Sequence, residues 1–311
     1  MNSRLPYNDF SSWITNQIGC KVQRLPLDAG FSCPNRDGTI SSGGCVYCNN
    51  EAFSPTYCRQ PGSLLQQIEK GKAFFAQKYP SMKYLAYLQS YSNTHADLPV
   101  LKSIYEQILL DNDIVGIIIA TRPDCVDTQK LDYLQQLSRK TFVMVEYGIE
   151  SINDQTLKQI HRGHDFACTC HAVRQTADRG IYVGGHVILG LPGENTDDLM
   201  HQAHILSALP LDMLKIHQLQ VIKNTPLAVI YERDPFPLPS ATSYINLLAA
   251  YIQHLRPTIS LGRFVSQSPP KMLVAPRWNI KSQDFNKMLV THMIRCGMRQ
   301  GDLWQSDMVF T

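Results

Sequence analysis

The chain has 311 residues, of which 44% are hydrophobic and 18% charged, and its formal net charge is +3. This excludes a small disulfide-stapled domain and a disordered chain, and it leaves room for one large barrel or two modest domains. The mild positive charge permits nucleic-acid binding without arguing for it; nine cysteines behind a start that lacks a secretory apolar segment read as thiols and metal ligands of a soluble, cytoplasmic protein.

In chain order, the predicted strands are "KVQRLPL" (21–27), "KYLAYLQS" (83–90), "IVGIIIATR" (114–122), "FVMVEYGI" (142–149), "IYVGGHVILG" (181–190) and "MLKIHQLQVI" (213–222). Several are nearly continuous in Val, Ile, Leu and aromatics, as strands covered on both faces of a parallel sheet should be. Even "IVGIIIA" is far too short to cross a bilayer, so no membrane association is expected. Helical stripes fall between the strands: Leu64, Leu65, Ile68 and Phe75; Leu101, Ile104, Tyr105 and Ile108; Leu131, Leu134 and Leu137; Leu199, Ala203 and Leu206. These are core positions. Six strands with intervening helices predict an α/β fold over residues 1–225, a wound parallel sheet either open or curled into a partial (β/α)6 barrel. "YERDPFPLPS" reads as a connection into a second region, 226–311. That region is expected to hold a helix carrying Tyr244, Leu247, Leu248, Tyr251 and Leu255, an extended stretch "SLGRFVSQSPPKMLVAPRW", and a helix over 281–297.

The chemistry concentrates in "CPNRDGTISSGGCVYC" (33–48). Cys45 and Cys48 form a C-x2-C pair, and Cys33 joins them across eleven residues of turn-forming material. The loop follows the first predicted strand, at the sheet edge where parallel α/β folds place their sites. Two readings compete. One is a structural zinc site completed by Cys58. The other is a [4Fe–4S] cluster with three irons held by Cys33, Cys45 and Cys48 and the fourth open to an exogenous ligand, with Tyr47 shielding it.

These cysteines, together with "GFSCPNRDGT", "TRPDC", "HRGHDFAC" and "HVILGLPGE", resemble the radical SAM superfamily, and within it the YhcC/YtqA-type family related to the Elongator catalytic-subunit group. The C-x11-C-x2-C loop departs from the superfamily's usual C-x3-C-x2-C and matches that family. The resemblance implies a partial (β/α)6 radical SAM barrel with a C-terminal extension. The implied cofactors are a [4Fe–4S] cluster and S-adenosylmethionine, and an electron donor such as flavodoxin or ferredoxin reduces the cluster. Reductive cleavage then yields methionine and a 5′-deoxyadenosyl radical that abstracts hydrogen from a substrate. It also implies tRNA as partner, with removal of the carboxymethyl part of a wobble-uridine side chain.

The remaining candidates follow from residue type and the resemblance together. "QSYSNT" offers Ser90, Ser92 and Asn93 to the cofactor's amino group, where relatives carry Gly-Gly-Glu; an ordinary polar loop is the alternative. Glu146, in an apolar strand, must be paired or face a polar cavity; the resemblance makes it a barrel-lining residue near the cofactor and, with Lys215 and His217, a catalytic candidate, with Glu150 a less certain neighbour. Arg162 is expected at the cofactor carboxylate, with Asp165 capping the next helix. His186 is expected at the ribose and Gly190 near the adenine, although a strand histidine is more often a bonded core residue. Lys215 and His217 share one strand face and point at the substrate if that face is inward. Arg263, Lys271, Arg277 and Trp278 form a basic, aromatic set suited to RNA backbone and a splayed base. Cys20, Cys58, Cys125, Cys168, Cys170 and Cys296 remain thiols. Two rivals predict different chemistry: a zinc-containing RNA-binding module without catalysis, and an iron–sulfur electron-transfer protein. A radical SAM enzyme with a non-RNA substrate is a third reading.

Overall fold

The computed structural model describes residues 5–52, 54–58, 62–76 and 82–305. Its elements in chain order are α1 (Phe10–Ile18), β1 (Val22–Leu27), α2 (Leu64–Ala76), β2 (Lys83–Leu88), α3 (Leu98–Leu109), β3 (Ile114–Thr121), α4 (Thr128–Ser138), β4 (Phe142–Glu150), α5 (Asp154–Gln159) and α6 (Phe166–Ala177). Then come β5 (Tyr182–Leu189), α7 (Thr196–Ala208), β6 (Met213–Gln218), β7 (Val221–Ile222), α8 (Pro226–Arg233), α9 (Ala241–Gln253), β8 (Ser260–Arg263), β9 (Leu273–Ala275) and α10 (Ser282–Arg295).

Seven strands form one parallel sheet in the order β1-β2-β3-β4-β5-β6-β8. It is the expected curled half-barrel, with one strand more than the sequence suggested. The seventh, β8, comes from "SLGR" in the C-terminal region and pairs Arg263 with Lys215. The last predicted run also divides: β6 stays in the sheet, while β7 leaves it to pair antiparallel with β9. α8 takes up the start of "YERDPFPLPS", because Pro226 sits in its first turn and the Thr225 side chain accepts from Ala228 N. Asp165 caps α6 as expected, accepting from Cys168 N.

The alternation of each strand separates two environments. Outward residues such as Ile117, Val145, Val183 and Leu214 meet the helices in the main core. Inward residues change character along the barrel axis. At its floor, Leu85, Ile118, Met144 and Met213 pack against Phe10 and Ile14 of α1, which closes the lower end. One step further up the strands stand Tyr87, Glu146 and Lys215, and above them Gly148, His186 and His217. The segment before α1 lies along β8: Leu261 N donates to Asn8 O at 2.8 Å, and Asp9 forms a parallel bridge to Leu261. Among the described residues no helix is long and apolar enough to cross a membrane.

Candidate active site

Between β1 and α2 the chain passes through Cys33, Cys45 and Cys48, and other elements fix its path. Val46 N donates to Ile160 O at 3.1 Å, and Leu227 N donates to Val46 O at 2.9 Å. The stretch between the two nearer cysteines is thus stitched to the end of α5 on one side and to α8 on the other. Arg36 Nη2 donates to Cys48 O at 2.6 Å. Buried Asn35 donates through Nδ2 to His161 O at 2.7 Å and lies 3.6 Å from Cys45 Sγ. Gly163 makes that approach possible. At φ +79° it adopts a conformation side chains disfavour, and a β-carbon there would stand 2.6 Å from Asn35 Oδ1.

The three thiols open on one cavity of about 200 Å³, bounded by β2, β3, β4, β5, β6 and β8. Among the described residues no three His, Cys, Asp or Glu side chains gather closely enough for a single metal ion. Cys58 donates instead to Pro26 O at 3.4 Å, so the expected zinc alternative lacks its fourth ligand. The thiols suit a bulkier core. Cys45 Sγ already has the N–H groups of Arg162 and Asn35 at 3.6 Å each, the kind of donors that hold a ligating sulfur in place. Burial, with Cys45 beside it, pushes the Cys48 thiol up to about 11. Cys48 would be freed of that cost on holding a metal, which displaces the thiol proton.

Arg162 reaches the thiols because nothing blocks it. Its Nη2 donates to Gly148 O at 2.6 Å and lies 3.8 Å from Glu150 Oε1. A β-carbon on Gly148 would come within 2.5 Å of that nitrogen. Burial opposes the guanidinium charge, but Tyr47, Cys45 and Glu150 outweigh it and hold the group protonated. Glu150 Oε2 also has His186 Nδ1 at 3.1 Å. Burial would raise this carboxyl; His186 and Arg162 bring it down to about 2. His186 and His217 stand with ring centroids 4.5 Å apart. His217 Nδ1 donates to Gln218 O at 2.8 Å, which leaves Nε2 as an acceptor. Burial and the neighbouring His186 push the His217 imidazole well below its ordinary value.

Deeper in the lumen, Lys215 Nζ donates to Glu146 Oε2 at 2.5 Å and to the Tyr87 hydroxyl at 2.8 Å, and Tyr87 donates to Glu146 Oε1 at 3.0 Å. Burial lowers the Lys215 ammonium to about 7 although Glu146 supports it, and Arg24 and Arg263 add to the lowering. Arg263 lines the same cavity and has no hydrogen-bond or ion-pair partner among the described residues.

Of the expected site residues, Cys33, Cys45, Cys48, Tyr47, Ser92, Glu146, Arg162, His186, Lys215, His217 and Arg263 converge on this cavity. Ser90, Asn93 and Gly190 do not line it. Asn93 works as a staple, its Nδ2 within 3.0 Å of Leu88 O, Ser90 O and Ala120 O. Ser90 meets Ser54 at 2.9 Å, and Gly190 turns the chain after β5 at φ +91°. Arg277 and Trp278 line a second cavity, and exposed Lys271 lines neither. Trp278 is stacked on Phe285 at 5.8 Å and donates to Pro239 O at 3.0 Å, which makes it part of the packing beneath that cavity.

Sequence reasoning overlooked Tyr87, Arg24 and Arg122. Arg122 sits in "TRPDC", a motif visible in the sequence but given no role. It is 2% exposed, grips Asp124 at 2.8 and 2.6 Å, and keeps a buried Nη1 without a partner among the described residues. Arg122 and Cys33 both line the cavity wall, where a guanidinium charge suits a carboxylate.

The sequence pattern of the radical SAM superfamily matches residues 37–204, and that of the Radical_SAM C-terminal domain matches residues 211–295. The chain belongs to the radical SAM superfamily. It is 32% identical to YtqA of Bacillus subtilis (strain 168) over 304 residues, covering 98% of this chain and 94% of YtqA. To YhcC of Escherichia coli (strain K12) it is 35% identical over 272 residues, 87% of each chain. The tRNA uridine(34) acetyltransferase of Methanocaldococcus infernus is 24% identical over 189 residues, 60% of this chain and 34% of that protein. The solved structure of archaeal Methanocaldococcus infernus Elp3 with an N-terminal deletion shares the fold, with a TM-score of 0.65 at 19% identity over 90% of this chain and 64% of that one. As a radical SAM enzyme the protein takes a [4Fe–4S] cluster and S-adenosylmethionine.

For this radical SAM enzyme, Arg122→Met is expected to weaken S-adenosylmethionine binding about tenfold through loss of one charge-assisted contact. Iron content should stay at the wild-type level. Equilibrium dialysis of the reconstituted protein checks both.

Proposed function

We propose that the protein modifies tRNA at the wobble uridine, removing the carboxymethyl part of a 5-carboxymethylaminomethyl side chain to leave aminomethyl. Its cluster would be reduced by a one-electron carrier of the flavodoxin or ferredoxin type. The observation that carries this reading is the cationic inner wall. Glu146 neutralises Lys215, whereas Arg263 faces the same cavity unpaired among the described residues. A guanidinium without a protein partner suits the carboxylate of such a side chain. The likeness to a protein named as a tRNA uridine(34) acetyltransferase supports RNA as the carrier of that group.

When bound, the cluster and S-adenosylmethionine supply a carbon-centred radical able to take hydrogen from an unactivated C–H bond. The chain's own residues do the rest. Arg122 and Arg162 offer charge beside the thiols, and Glu150 with His186 offers acceptors for hydroxyl groups. Lys215, with its proton poised near neutrality, can give or take one at Nζ, and the Tyr87 hydroxyl links it to Glu146. The apolar floor under α1 keeps water from entering below.

Reconstituted enzyme, given reductant, S-adenosylmethionine and tRNA bearing the carboxymethylaminomethyl group, is expected to produce aminomethyluridine, read by mass spectrometry of the digested nucleosides. Cleavage of S-adenosylmethionine with an unchanged nucleoside profile sinks the substrate reading.

A further inference from the structure

Beside the reaction cavity lies a larger one, of about 470 Å³, walled by the end of β6, by residues 265–281 and by the start of α10. The two share Ser266. Three features of the second cavity bear on what it holds. Arg277 and Lys281 line it, both exposed, and among the described residues no Asp or Glu does. α10, 14 residues long, begins at Lys281 without a side-chain cap, and Ile280, Lys281 and Phe285 put its first turn on the wall. Its unpaired N–H groups therefore present positive charge there. Asp284, in that first turn, lies 3.8 Å from Lys287 and does not line the cavity.

The third feature is a buried group with nothing to bond. Ser266 is 3% exposed. Its N–H donates to Gln218 Oε1 at 3.1 Å, and its carbonyl accepts from Gln218 Nε2 at 3.2 Å and Gln220 Nε2 at 3.1 Å. Both amides thus fix the backbone at the junction of the cavities, yet the Ser266 hydroxyl has no partner among the described residues. A buried hydroxyl held in place without a partner is costly unless a ligand meets it.

We infer that the second cavity is a phosphate subsite, bound by the α10 N-terminus, Arg277 and Lys281, with Ser266 at its inner end. Its position beside the reaction cavity assigns it the phosphodiester that flanks the modified nucleoside. The RNA origin of that phosphate rests on the proposed function. The subsite itself recognises a phosphate group, and a mononucleotide carries one too.

The test uses the full, cluster-loaded protein with Arg277→Glu and Lys281→Glu combined, and measures affinity for a wobble-uridine RNA stem-loop, for uridine 5′-monophosphate and for uridine. The control is Lys287→Glu, exposed on the same helix and outside the cavity. Iron content and melting temperature show that each variant is folded. The double variant should bind the stem-loop about tenfold or more weakly, and its dependence of log affinity on log salt should be shallower by about 0.7 for one lost phosphate contact. It should also lose the preference for uridine monophosphate over uridine. Wild-type affinity and salt dependence in the double variant overturn the subsite and leave the tRNA reading standing. Equal weakening by Lys287→Glu overturns it as well, since general charge then explains the effect. A wild-type protein that ignores the stem-loop but binds uridine monophosphate through these two residues upholds the subsite and removes the RNA.

Discussion

Serine at Cys33, Cys45 or Cys48 is expected to abolish the brown chromophore of anaerobically purified protein, from about four irons per chain to near none, and cleavage of S-adenosylmethionine with it. A hydroxyl is a poor substitute for thiolate at iron, and a core held by three ligands has none to spare. The fold should survive the change. The loop is anchored by Val46 to Ile160 and Leu227, by Arg36 to Cys48 O and by Asn35 to His161 O, none of which needs a thiol. Melting temperatures of the three variants, measured without metal, should therefore stay close to that of the wild-type apoprotein. Cys58→Ser provides the contrast, because Cys58 does not line the cavity. Full iron in any of the three ligand variants would falsify the assignment.

The second large effect concerns stability. Removing Glu146 leaves Lys215 buried without its counterion, with Arg24 and Arg263 adding like charge. Stranding one partner of a buried pair costs about 3–5 kcal/mol, whereas replacing both with apolar residues of similar size is often close to neutral. Glu146→Ala should therefore lower unfolding stability by that amount in urea titrations, and Glu146→Met with Lys215→Met should recover most of it. The pH dependence has a definite sign. Lys215 falls from 10.5 to about 7 on folding, so between those values the unfolded chain binds more protons than the folded one. Stability then rises with pH through that window. Below about 7 both states are protonated and the burial penalty is complete. The rise should vanish in the doubly substituted protein; a double variant as unstable as Glu146→Ala would show that packing, not charge, sets the cost.

Much of the fold is legible from apolar patterning. Strands covered on both faces, such as "IVGIIIATR", leave little else to be, and each of the six predicted runs supplies a strand of the sheet, the last also supplying β7 outside it. β8 was harder to read, since "SLGR" is four residues long with Gly262 inside it; only its register against β6 makes it a strand. α1 is hard to read because its sequence mixes Ser, Thr and Asn with Phe10, Trp13 and Ile14, and its reason for folding is the barrel floor it covers.

The site divides the same way. Cysteine spacing and charged residues in apolar strands pointed to Cys33, Cys45, Cys48, Glu146 and Lys215, because burial of such groups demands a partner. Tyr87 carries no such signal: a tyrosine in a strand looks like core until Lys215 and Glu146 are found on its hydroxyl. Asn93 looked like a ligand contact, yet its amide ties three carbonyls of neighbouring loops and strands. Polar residue type in a loop does not reveal whether the backbone has already claimed it.

The pairing of Asn8 and Asp9 with Leu261 has a further consequence. β8 is the last strand of an incomplete barrel, and a bare outermost strand is a template on which a foreign polypeptide can add itself. Here the chain's own leading segment takes part of that row of donors and acceptors. Strand addition by a guest protein is thereby discouraged on the flank that carries Arg263, and access to that arginine falls to whatever enters through the mouth above the strand ends.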